Sequence, residues 1–295
     1  MIRLGMSVLV LALFSCAPVR SGEIPAVPEV PEGLRLMGRM SQHMQKQQWK
    51  KALEVGEKAL AASRKEYKAA SLAKDYQTAD GTCGQIATIL IRQGLAEKIL
   101  GGSLAAMDEK FEEASAELDR HFRNAAALAI FRTIVLPSIT STYLDLGEYG
   151  RAEPYSKMLV DATALLKGRK STEYSFMAIK YGYILHRLGK DLEADTFVRN
   201  AVLILEKAEG VAEKEIANAL MVYGMVKLGR NHYIQAEKSL RKAMKRARSV
   251  GDEACLAKCS KALAKVLAAQ GKKGEAEAHA LRHGELQKKL KGDDL

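Results

Sequence analysis

The chain has 295 residues, 47% of them hydrophobic and 27% charged. That is enough apolar material for one elongated or two compact domains, and too much for wholesale disorder, a collagen-like repeat or a coiled coil alone. Aromatics are only 6% and prolines six, while Ala, Leu and Lys dominate, and the formal net charge is +11. This composition suits close helix packing rather than a β-sandwich, so an all-α chain is expected; the charge bears on solubility and anionic partners, not on fold.

The first element is an export signal. Met1-Ile2-Arg3 supplies one positive charge, Val8 to Phe14 a short apolar run, and Ser15 a small residue before Cys16; these are the three parts of a secretory signal peptide over residues 1–15. The run from Leu4 to Phe14 is too short to span a bilayer, which takes ~20 apolar residues, and no later segment is expected to come closer. Leu13-Phe14-Ser15-Cys16 resembles the lipobox of bacterial lipoproteins, which implies that Cys16 is acylated and becomes the mature N-terminus. Pro18, Pro25, Pro28 and Pro31 then make residues 16–33 an extended tether for that lipid anchor. With Cys16 acylated, Cys83, Cys255 and Cys259 remain, an odd number that argues against a disulfide framework.

Residues 34–125 read as diverged helical repeats. Gln47-Gln48-Trp49-Lys50-Lys51-Ala52 marks a first helical hairpin over Leu34 to Tyr76, and two helices, about Thr82 to Leu100 and Leu104 to Arg123, join at Gly101-Gly102. Over residues 126–291 one pattern recurs. Leu146-Gly147-Glu148-Tyr149, Leu188-Gly189-Lys190-Asp191, Asn231-His232-Tyr233 and Gln270-Gly271-Lys272 each precede an alanine, and Ala152, Ala194, Ala236 and Ala276 stand 42, 42 and 40 residues apart. Twelve residues earlier lie the small Thr140, Gly182, Gly224 and Ala264. Small residues on facing helices let backbones approach, and a Gly or Asn between them ends the first helix in a left-handed turn. One hairpin cannot bury its apolar face alone, so the units stack, three to four of them. The same periodicity places Ala194 between two helices and Asp195 on the outer face.

The Gly-x-Tyr-x-x-Ala type of turn resembles the tetratricopeptide repeat, with a spacing like its longer-helix variety. HEAT-like pairs share the length but not this turn. The resemblance implies an all-α solenoid of ten to twelve helices from about Leu34 to Leu290, wound as a right-handed superhelix whose first helices line a groove. Nothing in the chain alternates with period two for a strand's length.

Chemistry is sparse. Cys255 and Cys259 with His279 and His283 flank the last turn, but mirroring about Gly271 levels Cys259 with His283 and leaves Cys255 and His279 at different heights, so four zinc ligands do not converge. No metal or cofactor is expected. No nucleophile motif or phosphate loop occurs, and the carboxylates of Asp108, Glu109, Glu112 and Glu113 read as a solvated helix face. Nothing here specifies an enzyme.

From Arg230 to Leu295 there are 16 Lys+Arg against 8 Asp+Glu. Much of this charge, as at Arg241, Lys242, Lys245, Arg246 and Arg248, falls on a second helix and is expected to be exposed. The family's groove positions fall on Phe176, Ile179 and Tyr183, then Asn218, Met221 and Met225, then Lys258, Lys261 and Lys265. That groove runs from apolar to basic, fitting a protein or peptide segment with an apolar stretch and an acidic end; the three lysines read equally as the solubilising face of a terminal helix. DNA or RNA binding fits the charge but not the exported address. Three functions compete: a non-enzymatic, lipid-anchored scaffold of the bacterial envelope that binds a protein partner; a structural accessory subunit of a secretion, pilus or outer-membrane assembly complex; and a cell-wall enzyme on helical repeats.

Overall fold

The computed structural model describes residues 30–122 and 124–292, the side chains of Lys291 and Gly292 excepted. The signal segment, Cys16 and the tether up to residue 29 lie outside the described residues. Among the described residues there are twelve α-helices and no strand: α1 (Glu32–Gln45), α2 (Trp49–Leu72), α3 (Tyr76–Ile99), α4 (Leu104–His121), α5 (Ala125–Asp145), α6 (Tyr149–Lys167), α7 (Thr172–Arg187), α8 (Asp191–Lys207), α9 (Glu213–Gly229), α10 (Tyr233–Ser249), α11 (Glu253–Ala269) and α12 (Lys273–Gly292). The described residues are all-α and are built from helical hairpins. The chain divides into two compact units, the first ending at Glu117 and the second beginning at Leu118.

Five hairpins leave their first helix in the same way. The backbone N–H of Gln48, Glu148, Lys190, His232 and Lys272 donates to the carbonyl of His43, Tyr143, Leu185, Lys227 and Leu267 at 2.8–2.9 Å. The residue before each donor is left-handed, at Gln47, Gly147, Gly189, Asn231 and Gly271, with φ between 55° and 78°. Glycine or asparagine takes that conformation with little strain, which is why the sequence punctuates there.

In the first unit α1 packs on α2 and α2 on α3, around Met37, Met40, Met44, Ala52, Ala59 and Ile89. Helix α1 starts without a side-chain cap of its own; Glu66 of α2 accepts from the Gly33 N–H at 2.9 Å and supplies one from outside. Helix α3 begins at Tyr76, earlier than Thr82, because Asp75 caps it by accepting from the Thr78 N–H at 3.1 Å. Cys83 is buried, its thiol donating to the Glu117 carbonyl at 3.3 Å, and burial pushes its pKa up to about 12.

The second unit stacks four hairpins, α5/α6, α7/α8, α9/α10 and α11/α12, with α6 on α7, α8 on α9 and α10 on α11. Ala152, Ala194 and Ala236 are fully buried. A Cβ on Gly182 would overlap a Val198 methyl, and one on Gly224 would sit 2.6 Å from Leu240 Cγ, so the helices of each hairpin approach as closely as their small residues allow.

Two expectations are corrected. Helix α5, 21 residues long, is by length and composition apolar enough to cross a membrane; Arg132 and its Ser and Thr residues disguise this in the sequence, and here it pairs with α6. Asp195 is not on an outer face. It is 1% exposed, with Lys227 Nζ 2.6 Å from Oδ1 and the guanidinium groups of Arg199 and Arg230 on Oδ2. Burial would raise its pKa, but Lys227 and Arg199 hold it below the ordinary carboxylate value. Glu153 pairs with Lys190 at 2.6 Å and Glu237 with Lys272 at 3.0 Å, so in three copies the acid that follows the repeat alanine ties its hairpin to the next.

Candidate functional site: a pocket on the first-helix face of the second unit

Because α7 touches α9 and α9 touches α11, the first helices of successive hairpins lie side by side. Between them opens a pocket of about 220 Å³. Six of the nine residues expected in the groove line it: Phe176, Ile179, Tyr183, Asn218, Met221 and Lys258. Met225 is half-buried and packs against the core instead, while Lys261 and Lys265 stand exposed along α11, outside the pocket.

At one side Arg187 donates from Nη1 to the Tyr183 hydroxyl at 2.9 Å, and its guanidinium lies 4.1 Å above the ring of Tyr149. The two rings meet edge to face at 6.1 Å. Burial would raise the Tyr183 pKa, but hydrogen bonds with Arg187 and Tyr149, with the charges of Arg187 and Lys258, bring it below the ordinary phenol value. Tyr149, which burial dominates, is raised.

The basic residues near the C-terminal end include paired and unpaired cations, with exposed Lys245 and Arg248 of α10 among those that form no ion pair among the described residues. On the second helices, Arg241 meets Glu275 at 2.8 Å, Lys242 meets Glu206 at 3.3 Å, Arg246 meets Glu213 at 2.5 Å, and Lys289 pairs with Glu253. The first two pairs join neighbouring hairpins, and the last two join the two helices of one hairpin. On α11, Lys258, Lys261 and Lys265 are exposed and form no ion pair among the described residues.

No three His, Cys, Asp or Glu side chains converge among the described residues. His283 Nδ1 is 2.9 Å from the Ala257 carbonyl, and burial, aided by nearby arginines, holds His279 below the ordinary imidazole value. Cys255 and Cys259 are buried with their sulfurs 3.9 Å apart. In this pair the hydrogen bond lowers the Cys255 pKa against the opposing effect of burial, while the same bond and burial raise that of Cys259.

No protein-family model matches the chain, and no curated protein matches it. Solved structures do. BtubC (BKLC) from P. vanneervenii superposes with a TM-score of 0.54 at 15% identity, over 80% of this chain and 92% of that one. Aspartyl phosphate phosphatase F from Bacillus subtilis gives 0.48 at 12% identity, over 92% and 67% of the two chains, and the apo quorum sensor NprR from B. thuringiensis 0.43 at 16%, over 86% and 76%. The superposition on BtubC supports the all-α, helical-repeat fold. At such identities the likeness is one of fold, and function must be argued from the site.

Residues that the sequence reading omits also line the pocket: Leu144 of α5, Lys180 of α7, Leu205 at the end of α8, and Glu215, Ala219 and Val222 of α9. Lys180, Ala219 and Val222 each adjoin a groove position in sequence, so widening those positions by one residue would have found them. Leu205 carries no such signal, because it reaches the pocket from a second helix. The acid after the repeat alanine, at Glu153, Asp195, Glu237 and Glu277, was a legible pattern whose meaning only the stacked neighbour supplies.

Proposed function

We propose that the protein is an exported, non-enzymatic scaffold of the bacterial cell envelope, anchored through Cys16, that holds a segment of a protein partner on the first-helix face of its second unit. The segment places an apolar side chain in the pocket and carries acidic residues that meet Lys258, Lys261 and Lys265. One observation carries this reading. An apolar pocket adjoins Lys258, Lys261 and Lys265, which form no ion pair among the described residues, whereas Arg241, Lys242 and Arg246 of α10 are each paired. Unpaired charge beside an apolar anchor favours a complementary partner and its rate of encounter.

Fluorescence anisotropy with short peptides bearing one Leu or Phe flanked by Glu tests it. Binding should weaken at least tenfold when the three lysines become Gln, and again when Phe176 becomes Asp. Equal binding of peptides in which Lys replaces Glu would overturn the acidic-partner reading. The anchor is tested separately. Cys16→Ser should release the protein from membranes and block acyl labelling, and unchanged fractionation with unchanged labelling would rule lipidation out.

A further inference from the structure

Beneath the pocket lies a group of three sulfurs that the peptide-binding role does not use. Cys255 and Cys259 sit one turn apart on α11, with Sγ atoms separated by 3.9 Å. The Sδ of Met221, from α9, is also 3.9 Å from Cys255 Sγ. All three residues are buried, at 2%, 0% and 4% exposure, and Met221 also lines the pocket. The two helices are neighbours in the stack, so the third sulfur comes from a different hairpin than the first two.

The spacing has a meaning for metal chemistry. Three sulfurs around one ion in a trigonal plane, each at a metal–sulfur bond of about 2.3 Å, lie roughly 4.0 Å from one another. The two separations made by Cys255 Sγ, to Cys259 and to Met221, are each within about 0.1 Å of that figure. Two thiols and a thioether are soft, polarisable donors, the set that selects a soft monovalent ion over zinc or a hard cation. Zinc wants four ligands, and the nearby imidazole of His283 is already engaged by the Ala257 carbonyl.

We propose that Cys255, Cys259 and Met221 form a three-sulfur site for copper(I), reached from the pocket past Met221. Binding replaces the thiol protons, which pass to solvent, with bonds from the two cysteine sulfurs to the ion, and the thioether completes the plane without losing a proton. No electron is transferred. Cys83 lies in the first unit, its thiol on a backbone carbonyl, and serves as an internal control. The inference does not depend on what the pocket binds.

The test is anaerobic titration of the full, reduced chain carrying Cys16→Ser with copper(I), in competition with the chromophoric chelator bathocuproine disulfonate. One equivalent should be withheld from the chelator. Cys255→Ser and Cys259→Ser should each weaken retention at least a hundredfold, and Cys83→Ser should leave it unchanged. Met221→Leu keeps the side-chain volume; it should weaken retention at least tenfold with circular dichroism and thermal unfolding unaltered, and X-ray absorption should drop from three sulfur neighbours to two. The proposal is overturned if the folded chain withholds no copper, if Met221→Leu leaves both affinity and sulfur count unchanged, or if zinc(II) binds the same residues as tightly.

Discussion

Asp195 shows how one carboxylate is made structural. Alone at 1% exposure it would be costly to ionise, yet Lys227, 3% exposed, reaches one oxygen, while Arg199 and Arg230 hold the other. Removing one partner of a buried pair leaves the other charge uncompensated, at a cost of roughly 3–5 kcal/mol. Asp195→Leu should therefore lower stability by about 3 kcal/mol in denaturant titration, where an outer-face residue would cost under ~0.5 kcal/mol. The pH dependence follows from the lowered pKa. A carboxyl whose folded pKa lies below its unfolded value near 3.8 adds stability that is fully present above that value and is lost as pH falls through the folded pKa. Asp195→Asn should accordingly flatten the decline of stability with acid below about pH 4; an unchanged slope would show that the cluster does not hold the proton off. The misplacement of Asp195 has a physical origin: helical periodicity assigns faces within one helix, whereas its burial is made by cations 32 and 35 residues later.

At the scale of the helical hairpin, the small residues were the legible part. Gly182, Gly224 and the repeat alanines announce close approach, and the glycines of the turns announce where each first helix ends. The same turn at Gln47 shows the limit, since Gln47 adopts a positive φ without being a residue type that signals it. Helix α5 was under-read as a membrane-length segment for a related reason: its apolar content is interrupted by Arg132, Ser and Thr. The packing argument gives a sharp contrast between neighbours. Ala194→Leu adds bulk to a fully buried contact, and such overpacking costs ~1–3 kcal/mol. Leu192, two residues earlier, is 71% exposed, and Leu192→Ser should stay within about 0.5 kcal/mol. Because each hairpin is stabilised by its neighbours, the loss at Ala194 should extend beyond α7 and α8. Hydrogen exchange would show reduced protection in α6 and α9 as well, and damage confined to one hairpin would mean that the stack is less cooperative than its shared core implies.

For the molecule as a whole, the net charge of +11 is too coarse a quantity to assign function, since it does not say which cations meet carboxylates and which are left over. The sequence could place lysines on α11 and arginines on α10 but could not tell which had partners, because those partners lie 34 to 36 residues away. This distinction gives a comparison at nearly equal change of charge. Replacing Arg241 and Lys242 by Gln removes half-exposed bridges to Glu237, Glu275 and Glu206, and exposed bridges of this kind are worth ~0–1 kcal/mol each. The double variant should lose about 1 kcal/mol at low salt, less above 0.1 M salt where the screening length is about 10 Å, and should still bind an acidic peptide. Replacing Lys258, Lys261 and Lys265 by Gln removes like charges one and two turns apart on α11, a repulsive arrangement on a helix. This triple variant should be as stable as the parent or slightly more so, and should lose the acidic peptide and most of the salt dependence of binding. Denaturant unfolding and anisotropy on the two variants separate the roles. If the triple variant is the less stable one and binding falls equally in both, the lysines of α11 are part of the scaffold's own electrostatics and not a surface for a partner.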